Sequence, residues 1–254
     1  ATMATCIALV GAVAVGGTLA LLTSGPKNIT NTFAVSNSGY DEANMDFIVR
    51  EHQYTQDESG NYDSTNVPTA PGQGLSYHNL VAGTYLDKDP YFTLRNADNE
   101  PGTTPPDSWV VAKIDPQQVL ALQAKGLDFS KVTESGDSSW FVVKCTTADG
   151  ATTYQKMDLL TVDFLNDVDK NEFLNTEDNI EYCFIYNDYL TAEESTTSLF
   201  TQLSVGDDLV TEGFSGDNNL PLEVKGVAVQ KASEATTIDN SLSEIMADAY
   251  PLLF

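Results

Sequence analysis

The chain reads as mainly β: a jelly-roll-like or Greek-key β-sandwich with two or so short helices, preceded by an apolar N-terminal helix. Three observations predict this. Short runs rich in β-branched and aromatic residues recur with partial period-two alternation, polar stretches of Gly, Pro, Asn and Asp separate them, and helical periodicity surfaces in only two places. Apolar residues make up 41% of the 254, enough to bury a core, so the net charge of -25 does not signal disorder.

The elements follow in order. Residues 1–22 carry no charge, a length that serves as a bilayer span or as the apolar core of a signal peptide. The numbering starts at Ala1 with no Met and no basic residue ahead of the run, so the chain is expected to be either a fragment or a product from which a basic leader has been removed. Two readings stand: cleavage after Ala20, or retention as a pilin-like helix in a filament core, for which Thr5 replaces the usual Glu. Ser24-Gly25-Pro26-Lys27-Asn28 then breaks any helix. Residues 23–37 form a linker and an extended segment, and 38–254 the sandwich, with no tandem repeat and no second linker inside it.

Strands are expected at 32–35, 45–50, 91–94, 109–114, 140–146, 152–159, 181–186, 199–205 and 222–230, with a long polar excursion at 57–74. One helix starts at an Asp115 N-cap with Pro116 in the first position; Val119, Leu120 and Leu122 form its apolar face, and Gly126 ends it. A second helix spans 238–246, opening at Asp239 or Asn240 and burying Leu242, Ile245 and Met246.

Twelve basic against thirty-seven acidic residues exclude nucleic acid and anionic lipid headgroups as partners and suit a soluble protein outside the cell. Catalysis finds no support: His52 and His78 are the two histidines, in no His-Glu-x-x-His arrangement, and neither a Gly-x-Ser-x-Gly elbow nor a phosphate loop occurs. Both histidines read as ordinary surface or strand residues. Asp167, Asp169, Asn171 and Asp178, with Glu172 and Glu177, offer alternating oxygen ligands of the kind calcium takes, although Glu172 stands where an EF-hand loop has Gly. A solvated acidic loop is the competing reading, there and for the second cluster at 57–63. Beyond calcium no cofactor is implied. Cys6 lies in the apolar run; Cys145 and Cys183 lie in strands, where a bridge and two buried thiols both stand open.

Several blocks together carry a resemblance. Gly16-Gly17-Thr18-Leu19-Ala20 followed by Thr30-Asn31-Thr32-Phe33, then Asp87-Lys88-Asp89-Pro90-Tyr91-Phe92-Thr93 ahead of Trp109-Val110-Val111-Ala112-Lys113-Ile114, come first. Tyr182-Cys183-Phe184-Ile185-Tyr186 with Glu194-Ser195-Thr196-Thr197-Ser198-Leu199-Phe200, and finally Val227-Ala228-Val229-Gln230, complete the order. The pattern resembles the TasA and camelysin family, secreted fibre proteins processed by a SipW-type signal peptidase. That resemblance implies an extracellular or cell-surface structural protein whose partner is itself, touching membrane only during export or through residues 1–22. The camelysin side of the family implies a protease, for which this chain shows no zinc ligands.

A physical basis for assembly is also legible. An open sandwich leaves strand edges that accept a neighbour's strand. The segment after Gly25-Pro26 could supply one, with Ile29, Thr32, Phe33 and Val35 as the docking residues, and repeated head to tail this gives a homopolymer. The competing reading is an ordinary first strand inside the same domain.

Overall fold

The computed structural model describes residues 16–19, 21–22, 32–34, 45–71, 73–77, 80–96, 104–133, 139–167, 172–174, 179–210, 222–231 and 237–254. In chain order the elements are β1 (Gly16–Leu19), β2 (Leu21–Leu22), β3 (Thr32–Ala34), β4 (Met45–Arg50), β5 (His52–Gln56), β6 (Tyr62–Pro68), β7 (Ser76–Tyr77) and β8 (Tyr85–Asp87). They continue with β9 (Tyr91–Asn96), β10 (Ser108–Ile114), α1 (Pro116–Gln123), β11 (Leu127–Lys131), β12 (Trp140–Ala148) and β13 (Ala151–Leu159). The last are α2 (Val162–Asn166), β14 (Ile180–Leu190), β15 (Gln202–Val205), β16 (Glu223–Gln230) and α3 (Ile238–Leu253).

The protein is mainly β, as its patterning predicts. A seven-stranded sheet has the order β1-β16-β10-β14-β12-β13, with β3 also on β16; a five-stranded sheet has the order β11-β15-β8-β6-β5; β2-β7 and β4-β9 form two short pairs. The β12–β13 hairpin turns on Asp149 and Gly150, both at positive φ (53° and 78°), the backbone that a two-residue Asp-Gly turn supplies.

The central strands β10, β14, β12 and β16 of the large sheet are buried on both faces. Val110, Ala112 and Ile114 of β10 join Trp140, Phe184 and Val224 in a core shared with Phe47, Phe92, Leu86, Phe129 and Leu203. The alternate residues Trp109 and Val111, with Val143, Cys183, Ile185 and Val227, pack under α3 through Ile245, Met246, Ala249 and Leu253. Burial on both faces explains why Trp109-Val110-Val111-Ala112 reads as an unbroken apolar run. It also corrects the two-layer expectation, because a helix covers the outer face of the large sheet.

Local signals at α1 hold. Asp115 accepts the Gln117 N–H at 2.9 Å, Pro116 opens the helix, and Gly126 sits at φ +80°. Val119 and Leu122 are buried, but Leu120 is 38% exposed, against expectation. At 100° per residue, Leu120 lies off the stripe that Val119 and Leu122 share at i, i+3. α3 starts from Thr237 as N-cap, not Asp239 or Asn240, and runs 16 residues, past the expected end at 246. Ile238, Ser241, Ile245, Ala249 and Leu253 form one continuous buried stripe that carries it to the C-terminal turn, which contains Pro251. α2 was not foreseen, nor were β5, β6, β7, β8 and β11, and β6 lies inside the stretch expected as a polar excursion at 57–74. Where the apolar N-terminal run is described, at Gly16–Leu19 and Leu21–Leu22, it is extended and not helical; residues 1–15 lie outside the described residues.

Candidate functional site

The strand β16 has two edges of different origin. Its inner edge pairs antiparallel with β10 over the whole length, from Ser108 opposite Gln230 to Ile114 opposite Val224. Its outer edge is completed in two pieces by the N-terminal segment. β1 runs antiparallel along the first half, Gly16 opposite Gly226 to Leu19 opposite Glu223, and β3 runs parallel along the second, with Thr32, Phe33 and Ala34 opposite Val227, Ala228 and Val229. Thr32 and Phe33, expected as docking residues, are therefore on this edge, in the chain's own sheet. Ile29 and Val35 lie outside the described residues. The outer edge of β16 is thus covered by two short pieces of the same chain, four and three residues long.

A second constellation joins two of the sequence blocks. Residues 193–199 run along the free edge of β9, which pairs on its other side with β4. The Glu193 N–H donates to the Leu94 carbonyl, the Leu94 N–H to the Glu194 carbonyl, the Thr196 N–H to the Phe92 carbonyl and the Leu199 N–H to the Pro90 carbonyl. Thr196 Oγ1 accepts the Phe92 N–H at 3.0 Å, and Ser195 Oγ lies 2.8 Å from Thr93 Oγ1. The Trp140 indole N–H donates to the Thr197 carbonyl at 3.1 Å. The Ser-Thr-Thr-Ser run is thus a strand substitute whose polar groups replace ladder bonds.

The Asp87-Lys88-Asp89 run sits beside it, each residue with a separate task. Asp87 accepts the Ser64 N–H and the Gln202 side-chain amide, both at 2.9 Å. Asp89 accepts the His52 N–H at 2.9 Å and binds His52 Nδ1 at 2.6 Å. A carboxylate only accepts, so Nδ1 carries the proton in this contact. Lys88 points inward to Glu51, and both side chains are fully buried. The imidazole stacks on Tyr91 with centroids 5.2 Å apart and borders an open cleft of about 450 Å3 lined by Thr133 and residues 195–198. His52 is therefore a half-buried residue at the start of strand β5, the strand alternative of the expected reading; His78 lies outside the described residues. Sequence reasoning missed Glu51 and the His52–Asp89 contact. The available signal was the Arg50-Glu51-His52 run following an apolar strand, facing acids and a lysine of opposite sign.

Of the expected calcium cluster, Asp167 and Glu172 are described. Asp167 ends α2 at φ 45°, is 5% exposed, and accepts the Glu172 N–H at 3.3 Å and the Leu174 N–H at 3.1 Å. This carboxylate holds a loop. Asp169, Asn171 and Asp178 lie outside the described residues, and among those described no three His, Cys, Asp or Glu side chains gather as a metal site. Asp57, in the second cluster, closes the β5–β6 turn by accepting the Ser59 and Asn61 N–H groups; the Asn61 side-chain amide first among these bonds holds its carboxyl below the usual range.

Cys145 and Cys183 are free, buried thiols on the neighbouring strands β12 and β14, with sulfurs 4.0 Å apart and Met246 Sδ 4.0 Å from Cys183 Sγ. Of the two open readings, the structure has the thiols. Burial pushes the Cys183 thiol well above its usual value, the direction of an inert side chain.

No family model, curated protein or solved structure matches this chain. Among the described residues no helix is long and apolar enough to cross a membrane.

Proposed function

We propose that this chain is the structural subunit of an extracellular or cell-surface filament of the TasA-like kind, polymerised by exchange of the N-terminal segment between copies. The carrying observation is the outer edge of β16, completed by β1 and β3 rather than by any strand of the body. Both pieces precede β4 in the chain, so an exchange would move them together with β2, which pairs with β7. Backbone hydrogen bonds made in cis and in trans are the same, which makes the exchange close to neutral in contacts and sensitive to subunit concentration and linker geometry. The contact is heterologous, and a heterologous contact that does not close gives a fibre. Jelly-roll-like wiring belongs to the same reading. The excess of acidic residues keeps such a subunit soluble outside the cell. No catalytic residue and no cofactor are assigned: the cleft hydroxyls of Ser195 and Thr196 are spent on β9, and the His52–Asp89 pair serves to fix the start of β5.

The test is truncation. Removing residues 1–35 leaves a folded body with an open β16 edge; negative-stain microscopy should find no filaments, and a peptide of residues 16–37 should raise thermal stability without restoring polymer. Filaments of normal length from the truncated protein would end this reading.

A further inference from the structure

We propose that Lys88 and Glu51 are joined by an intramolecular amide bond between Lys88 Nζ and Glu51 Cδ. The observation is a pair of ionisable side chains placed where neither charge is well served. Both are 0% exposed and in direct contact through Nζ and Oε1. Glu51 Oε2 is buried with no hydrogen-bond partner among the described residues. The neighbouring acids give no relief: Asp87 is committed to Ser64 and Gln202, and Asp89 to His52. Taking two charges out of water carries a large desolvation cost, and attraction offsets it only where the remaining donors and lone pairs are satisfied.

The surroundings are buried and the backbones held. Tyr77 is buried beside the pair; burial pushes its phenol well above the usual value, and the Glu51 charge pushes the same way. Both backbones are pinned: the Glu51 N–H donates to Thr69 Oγ1 at 3.2 Å, the Thr69 N–H to the Glu51 carbonyl at 2.7 Å, and the Lys88 N–H to the Thr201 carbonyl at 3.1 Å. Reactants held in contact by fixed backbones react as one molecule, without the entropy loss of an encounter.

The step balances without any co-reactant. One proton passes from the ammonium to the carboxylate across the contact, leaving a neutral amine and a neutral acid. The amine lone pair adds to Glu51 Cδ, forming the N–C bond. The tetrahedral carbon then expels one oxygen with two protons as water, and an amide remains. Two buried charges become one neutral group, and exclusion of water from the site opposes the reverse hydrolysis. The bond would tie the β4–β5 junction to the β8–β9 junction, 37 residues apart in sequence.

Peptide mapping tests this directly, because Lys88 is the one Lys or Arg between Arg50 and Arg95. Full-length protein is denatured and digested with trypsin. With the bond, residues 51–95 emerge as one peptide, lighter than its sequence by one water, uncut after Lys88, with fragment ions placing the link between Glu51 and Lys88. A Lys88→Arg variant keeps the charge but has no amine to acylate, and should show the full sequence mass with a lower melting temperature. Separate wild-type peptides 51–88 and 89–95 at full mass would overturn the proposal, and that readout stands whether or not the variant folds.

Discussion

Phe92 fills the space that a side chain at Gly226 would need: a β-carbon there would stand 2.0 Å from Phe92 Cε1. The ring also stacks on Phe47, centroids 5.4 Å apart, and tilts against Trp140 at 5.9 Å. β16 is thereby set against β9, the strand that follows the Asp-Lys-Asp-Pro run. Gly226 is required by close approach, since its backbone needs no positive φ.

Gly226→Ala is accordingly expected to lower stability by about 1–3 kcal/mol, the range for overpacking a filled core. The urea midpoint measures it. A Phe92→Leu change in the same background should recover part of the loss, showing coupling between the two sites. An unchanged midpoint for the single variant would mean the ring moves aside freely.

In α1 the two leucines should separate. Leu122→Ala empties a buried position and should cost about 2–5 kcal/mol, whereas the same change at the exposed Leu120 should stay within about 1 kcal/mol. Denaturant melts of the two variants side by side decide it; equal losses would contradict the burial of one and not the other.

Asp167→Asn should cost about 1–3 kcal/mol, because a buried carboxylate that accepts two backbone N–H groups is replaced by a weaker acceptor. The loss should be equal in calcium and in chelator if Asp167 works as a loop staple. A loss seen only in calcium would return this carboxylate to a metal site.

Tyr85 donates to Asp63 Oδ1 at 2.5 Å, and that bond is the main cause pushing its phenol from the ordinary 10.0 up to about 12. A proton held more tightly in the folded chain stabilises fully below the unfolded value and is lost as pH rises through the folded one. Stability should therefore decline between about pH 10 and 12, and Tyr85→Phe should flatten that part of the profile. Melting temperature against pH for both proteins provides the check, and parallel curves would remove Tyr85 from the account.

What the sequence determined by itself was what short-range chemistry can encode. Asp115 and Pro116 start a helix because the cap and the fixed φ act within one turn. Asp149-Gly150 makes a hairpin because two positive-φ positions suffice, and β10, β12, β14 and β16 announce themselves because buried strands need continuous or alternating apolar residues. Tertiary structure decided the rest. β6 runs through 62–68 with Tyr62 as its one buried residue, so its strand is dictated by neighbours and not by its own pattern. Leu120 is exposed because the sheet lies on the other side of its helix. The N-terminal segment, β16, Glu51 and Lys88 are strand-edge or charge partners separated by tens to hundreds of residues. Pairing at that range is chosen by the shape of the whole core, where one register or one buried charge is compatible with the packing and local propensity has no vote.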